Sequence, residues 1–192
     1  MDPTTGRDGE RALAARPDVD ARRAAKRPAI SERIRRDWVL DIAALALLSV
    51  LARLPWVLLV HGRATSDSYF YYLSARAISE GHGYAIMGHP TAFFPIGWPA
   101  FLAGLFLITG PSIAAIKAAN LVLWAISSGL AYALGRRLGG RSVGVLSGVL
   151  IAVAPTLTPY VMRASSEGLF IPLLLAACLL LIREDGKTPV LS

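Results

Sequence analysis

The 192-residue chain has little of what soluble enzymes usually depend on. Charged residues make up only 17% of it, against about 25% in soluble domains. Its single cysteine, Cys178, excludes an internal disulfide. The sequence contains no GxSxG or CxxC motif and no Gly-rich phosphate loop after a strand. Nucleotide-dependent soluble chemistry is therefore unsupported.

Hydrophobic residues are abundant instead, at 54% of the chain with a mean hydropathy of +0.51. They fall into several long runs, which predict membrane helices, and no strand pattern or internal repeat is evident. The net charge of +7 is of the sign that nucleic-acid binding requires. Because the basic residues cluster beside the apolar runs without interleaved aromatics, they indicate topology and contact with anionic lipid, and no nucleic-acid partner.

The order of polar and apolar segments predicts an all-α, polytopic membrane helical bundle with about four transmembrane helices. Residues 1–37 are predicted to be a disordered, basic, cytoplasmic tail, because a cluster of basic residues precedes the first apolar run. The membrane domain is 38–183, and 184–192 is a short C-terminal tail. Its transmembrane helices are predicted at 38–60, 112–134, 142–158 and 168–182. The predicted location is the plasma membrane, multi-pass, with a cytoplasmic N-terminus.

The first outer loop, 61–111, is the most unusual stretch. Residues 67–80 suit a short amphipathic helix that lies along the lipid–water interface. The apolar segment 99–109 is short for a span and favours an interfacial or re-entrant helix. With that choice, Arg136, Arg137 and Arg141 lie on the cytoplasmic side, as the positive-inside rule prefers.

Two acids, Asp67 and Glu167, stand at predicted helix starts on the outer face. Both have a structural explanation: Ser66 would cap one helix, and Ser165 or Ser166 the other, with each acid favourable at the positive helix end. The functional alternative is acid–base work at the membrane surface.

Two cations, Lys117 and Arg163, are predicted on the same face, where they either snorkel or bind a lipid phosphate. Arg53, within the first apolar run, is expected to snorkel; the alternative is that it faces a polar cavity. His82 and His89 lie in a glycine-rich stretch, where solvated side chains are expected because their spacing matches no strong metal motif. His89 is the candidate if a metal is bound.

These features resemble the N-terminal part of membrane glycosyltransferases of the GT-C superfamily, from about Arg53 to about Ile182. The closest families are the protein O-mannosyltransferases and the lipid A aminoarabinose transferase. The resemblance is carried by an acid, small residues and a GxGY turn (Asp67, Tyr69, Ala75, Ala77, Gly81, Gly83, Tyr84), by His89-Pro90 and residues 94–99, by Gly110 with Lys117, by LGRRLGG at 134–140, and by Glu167. Ser68 stands where many relatives have a second acid.

The resemblance implies inverting transfer of a sugar from a polyprenyl-phosphate donor to an acceptor on the outer face, with Asp67 as base. Lys117 and Arg163 would bind the donor phosphate, and Glu167 would hold the acceptor or a divalent metal, the one cofactor implied. The partners are the lipid bilayer, the lipid-linked sugar, and a second subunit or a missing C-terminal part. The alternatives are a non-catalytic scaffold of the same fold and a small transporter; the latter predicts polar residues at mid-membrane depth, such as Asn120, Ser127 and Ser128.

Overall fold

The structure, a computed structural model, describes residues 17–60 and 67–182, with side chains from residue 36 onward. It is an all-α membrane fold, as predicted. The helices are α1 (Pro17–Leu59), α2 (Asp67–Ser79), α3 (Gly97–Thr109), α4 (Ile113–Val153) and α5 (Glu167–Leu181). A two-stranded hairpin, β1 (Ala85–Ile86) with β2 (His89–Pro90), follows α2, and a 3₁₀ helix, Pro155–Met162, precedes α5.

Helix α4 is two helices joined by a sharp turn. The backbone leaves helical geometry at Gly139 and again at Gly140, where φ is +80°, a value that favours glycine. Across the turn, the Ser128 Oγ donates a hydrogen bond of 2.8 Å to the Gly148 carbonyl. A Cβ on Gly144 would lie 2.8 Å from the carbonyl oxygen of Tyr132. Segments 113–138 and 141–153 therefore form a closely packed antiparallel pair, with small residues at the contact, as is usual between membrane helices.

Two helices are long and apolar enough to cross a membrane: the stretch Arg36–Leu59 of α1, and α4. Large apolar side chains on them are exposed, among them Leu47, Leu51 and Leu150, which suits a lipid surrounding and would be costly in water. The shorter apolar helices are α3 and α5. Each apolar run of the sequence thus contains a helix.

The structure differs from the sequence predictions in three places. Residues 17–37, expected to be disordered, continue α1 towards the N-terminus, because their many Ala and Arg residues are good helix formers; residues 1–16 lie outside the described part. The third predicted span ends at Val153, and the 3₁₀ helix begins at Pro155. The hairpin was not foreseen, because its strands have only two residues each.

Arg53 does not snorkel, so that prediction is wrong. Its side chain is fully buried, and it donates hydrogen bonds to the carbonyls of Ala152 at 2.6 Å and Ile151 at 2.9 Å. The guanidinium also lies 5.0 Å from the centre of the Trp124 ring. Arg53 therefore satisfies the last carbonyls of segment 141–153 and complements the negative end of that helix.

Candidate functional site

A pocket of about 280 Å³ opens where the start of α2 meets the segment that leads into α5. Polar and aromatic side chains from two distant parts of the chain line it: Asp67, Ser68, Tyr71, Tyr160, Arg163, Ser165, Ser166 and Glu167. The structure thus brings three of the four main candidates from the sequence, Asp67, Arg163 and Glu167, around one cavity.

One wall of the pocket is the first turn of α2. Asp67 is exposed at the start of the helix, and Tyr71, four residues later, is buried and lies on the same face. Tyr71 and Ala75 pack into an apolar cluster with Trp98 and Leu102 of α3. Because this cluster fixes α2 against α3, the Asp67 carboxylate is held at the mouth of the pocket by a rigid support.

The opposite wall is the chain between the 3₁₀ helix and α5. It contributes Tyr160, the exposed Arg163 and the half-buried Glu167. Asn120 of α4, fully buried, donates its amide hydrogens to three carbonyls of this wall, those of Tyr160, Val161 and Arg163. Hydrogen bonds from Asn120 therefore hold this wall against α4 on the side away from the pocket.

Of the structural explanation for Glu167, the serine cap is not formed among the described residues, whereas the position in the first turn of α5 is observed. Ser166 occupies the N-cap position of α5, yet its side chain makes no capping hydrogen bond. The Oγ of Ser165 is buried and has no hydrogen-bond partner among the described residues. Both serines line the pocket with Glu167. The corresponding cap for α2, Ser66, lies outside the described residues.

The charge arrangement is two acids and one arginine around a single opening. Such a cavity can accept a proton from a hydroxyl at a carboxylate and stabilise an anion at the guanidinium. Glu167 also lies in the first turn of α5, where the helix dipole favours a negative charge.

Lys117 is not brought to this pocket in the described structure. Its Nζ is 3.4 Å from the Val57 carbonyl near the end of α1, where it complements a helix C-terminus. His89 is exposed in the hairpin, away from the pocket-lining residues. Within residues 36–60 and 67–182, no group of three or more His, Cys, Asp or Glu side chains is placed to hold a metal.

Two side chains near the hairpin, Tyr84 just before β1 and Arg76 on α2, have shifted pKa values. The Tyr84 hydroxyl donates to the Phe94 carbonyl at 2.8 Å, and burial raises the pKa of this phenol above its ordinary value. On α2, Arg76 donates to the Glu80 carboxylate at 2.7 Å, and this bond raises the pKa of the guanidinium. Tyr84 thereby ties the hairpin to the segment that precedes α3.

The pocket and the arginine cluster lie at opposite ends of α5. Glu167, its first residue, lines the pocket. At the other end, Arg137 donates to the carbonyls of Leu179 at 2.6 Å and Ile182 at 3.0 Å. Arg137, near the end of segment 113–138, is therefore separated from Glu167 and the pocket by the length of α5, about 22 Å for 15 residues.

Sequence reasoning missed Tyr71, Tyr160 and Asn120 as parts of this site. Tyr71 had a usable signal, because it follows Asp67 by four residues on the same helical face. Asn120 was noted only as a polar residue at membrane depth that a transporter would require. In the structure its amide bonds to backbone carbonyls, so Asn120 has a structural role and does not indicate a transport pore.

The comparison with known families supports the resemblance over part of the chain. Residues 93–187 match the model of the dolichyl-phosphate-mannose-protein mannosyltransferase family. The match covers just under half of the chain, and it confirms the predicted resemblance there. It includes Lys117, Arg163 and Glu167, whereas Asp67 precedes it. Neither the comparison with curated proteins nor that with solved structures found a match.

Proposed function

We propose that this chain, a membrane glycosyltransferase of the mannosyltransferase-like type, transfers a sugar from a polyprenyl-phosphate donor to an acceptor hydroxyl with inversion, and that Asp67 is the base. The reaction takes place at the non-cytoplasmic face. One observation carries the proposal: Asp67, Arg163 and Glu167, which are far apart in the sequence, line one pocket.

The chemistry follows from the positions of the charges. The acceptor hydroxyl enters beside Asp67, which removes its proton as the oxygen attacks the anomeric carbon of the donor sugar. The bond between that carbon and the phosphate oxygen breaks at the same time. Because the attacking and leaving oxygens lie on opposite sides of the carbon, the configuration inverts. A positioned base of this kind contributes about 10²–10⁴-fold to the rate.

The leaving group is polyprenyl phosphate, whose negative charge increases as the bond breaks. Arg163 is exposed on the pocket wall, where a guanidinium can bind phosphate oxygens in a bidentate manner. Lys117 would act as a second cation only if the phosphate reached beyond the pocket towards the end of α1. Glu167, half-buried beside Arg163, would orient the acceptor through a hydrogen bond.

A divalent metal is the cofactor implied by the resemblance, and the residues present fit it poorly. Magnesium and calcium take six or more oxygen ligands, and, among the residues that the structure describes, two carboxylates line this pocket together with the positive Arg163. Ser68, rather than a second acid, follows Asp67. No step above depends on a metal. Chelation with EDTA is expected to leave transfer unchanged; loss of transfer that Mn²⁺ or Mg²⁺ restores would place the metal in the reaction.

The proposal is tested by incubating the purified chain in detergent with polyprenyl-phosphate mannose and a hydroxylated acceptor peptide. The expected result is mannosylated peptide with the anomeric configuration opposite to that of the donor. Arg163→Gln is expected to raise the KM for the donor more than tenfold. Arg76→Gln, also on the outer loop, serves as the matched control and should keep the KM unchanged.

Two results would contradict the proposal. Retention of the donor configuration would rule out a single displacement. Absence of transfer by the folded chain would favour a non-catalytic scaffold of the same fold.

A further inference from the structure

We infer that Asn120 is a positioning residue that, together with Gly168, sets the place of Arg163 and Glu167 in the pocket. The positioning role rests on the proposed function, whereas the contacts that define it do not. Asn120 lies on segment 113–138 of α4, is fully buried and does not line the pocket.

The amide nitrogen of Asn120 faces three acceptors at once. It donates to the carbonyls of Tyr160 and Val161, both at 3.2 Å, and to that of Arg163 at 2.9 Å. These carbonyls belong to the end of the 3₁₀ helix and the extended residue after it. The Asn120 amide nitrogen carries two N–H groups, so at least one of them is shared between two of the three oxygens. A side chain of similar size without N–H donors, such as leucine, cannot make these bonds.

The other end of the same side chain meets the start of α5. A Cβ built on Gly168 would lie 2.7 Å from the Asn120 Oδ1, closer than real Cβ atoms approach. Glycine at 168 therefore lets the first turn of α5 sit against Asn120. Since Glu167 precedes Gly168, and Arg163 is the residue whose carbonyl Asn120 holds, one side chain sets the spacing between the two charged groups.

The hydrogen bonds of Asn120 favour a fixed position of the wall between the 3₁₀ helix and α5. Within the described part of the chain, the Asn120 Oδ1 has no hydrogen-bond partner, and a buried amide oxygen without one is costly. The hydrogen bonds that the Asn120 amide donates to the three neutral carbonyls of the wall offset this cost only while the wall stays in place. Displacement of the loop would separate these carbonyls from the buried Asn120 amide, which would then lose these hydrogen bonds.

The test measures the charge inside the pocket without relying on transfer. Ser166→Cys is introduced in a Cys178→Ala background, and its reaction rates are measured with an anionic and a cationic methanethiosulfonate reagent. The ratio of the anionic to the cationic rate reports the local potential. Arg163→Gln defines the ratio without the arginine. Its change should be about threefold or more, because loss of a nearby unit charge affects the anionic and the cationic probe in opposite directions.

Asn120→Leu, which keeps the volume but removes the donors, is expected to move the ratio most of the way to the Arg163→Gln value. Ser127→Ala is the matched control: Ser127 is equally buried on the same helix, but its Oγ bonds only the Leu123 carbonyl of that helix. A general loosening of the fold would raise the reaction rates of the anionic and the cationic reagent in parallel and leave their ratio unchanged.

A ratio that stays unchanged in Asn120→Leu would overturn the inference. If that variant does not fold, Gly168→Ala carries the test, because its methyl group pushes against the Asn120 Oδ1 and should shift the ratio in the same direction. If the ratio shifts in a chain that transfers no sugar, the positioning role of Asn120 stands and the proposed function is wrong. If sugar is transferred and the ratio is unchanged, the proposed function stands and the positioning role is wrong.

Discussion

Replacement of Arg53 by methionine should weaken the packing of α1 against segment 141–153. The variant loses two hydrogen bonds that cross between helices, those to Ile151 and Ala152, and the contact with the Trp124 ring. The bonds to Ser49 lie within α1 and do not hold the helices together.

The expected magnitude comes from these three interactions. A hydrogen bond between membrane helices averages about 0.6 kcal/mol and reaches about 1.7 kcal/mol. A desolvated cation–π contact contributes about 2 kcal/mol. Because methionine is neutral, the variant avoids the free-energy cost of burying a charged side chain, and this offsets part of the lost interaction energy. We therefore expect the free energy of unfolding to fall by about 2 kcal/mol.

The assay is reversible unfolding of the detergent-solubilised chain in increasing SDS, followed by circular dichroism. Arg76→Met is the control, because Arg76 is exposed and its ion pair is with Glu80, four residues later in the chain. It should leave the unfolding curve in place. An Arg53→Met curve that coincides with the wild-type curve would refute the idea that this buried arginine fastens the helix end.

Three further predictions follow from other contacts. Gly144→Ala should destabilise the fold by about 1–3 kcal/mol in the same assay, since its methyl group would lie 2.8 Å from the Tyr132 carbonyl oxygen; Gly104→Ala, where nothing described lies within 4 Å, should not. In an alkaline titration followed at 295 nm, the Tyr84 phenol should ionise above the ordinary pKa of a tyrosine, and this part of the absorbance change should be absent in Tyr84→Phe. Because its folded pKa is the higher one, Tyr84 costs stability only above the pKa of the unfolded phenol, and an unchanged titration in the variant would contradict this. Cysteines placed at Gly140 and Ser166 should be labelled by an impermeant reagent from opposite sides of the membrane, and labelling from one side would contradict the helix order.

The apolar helices were predictable because their signal is local. Runs of apolar residues between charged ends determine where a membrane helix begins and ends, and Gly139-Gly140 marked the turn within α4. The helical residues 17–37 were not predicted, since a polar and charged composition fits both a solvated helix and a disordered tail. The hairpin was missed because two residues do not make a periodic pattern.

The pocket was predictable in part for a different reason. Asp67 and Glu167 could be placed on one face of the membrane by counting spans, and the positive-inside rule gave the direction. Counting spans does not tell which side chains meet, so Lys117 was grouped with the pocket although it bonds to Val57. Arg53 and Asn120 bond to backbone carbonyls distant in sequence, and such partners leave no mark in the local pattern.

The most direct measurement of the central claim is the transfer rate of Asp67→Asn with a saturating polyprenyl-phosphate-mannose donor. Asparagine keeps the size of the side chain and one acceptor oxygen but cannot accept the proton. The account predicts a fall in kcat of about 10²–10⁴-fold, with the donor KM little changed and with Glu80→Gln, at an exposed acid just beyond α2, as active as the wild type. Full activity in Asp67→Asn would contradict the account, because no proton would then pass to this carboxylate.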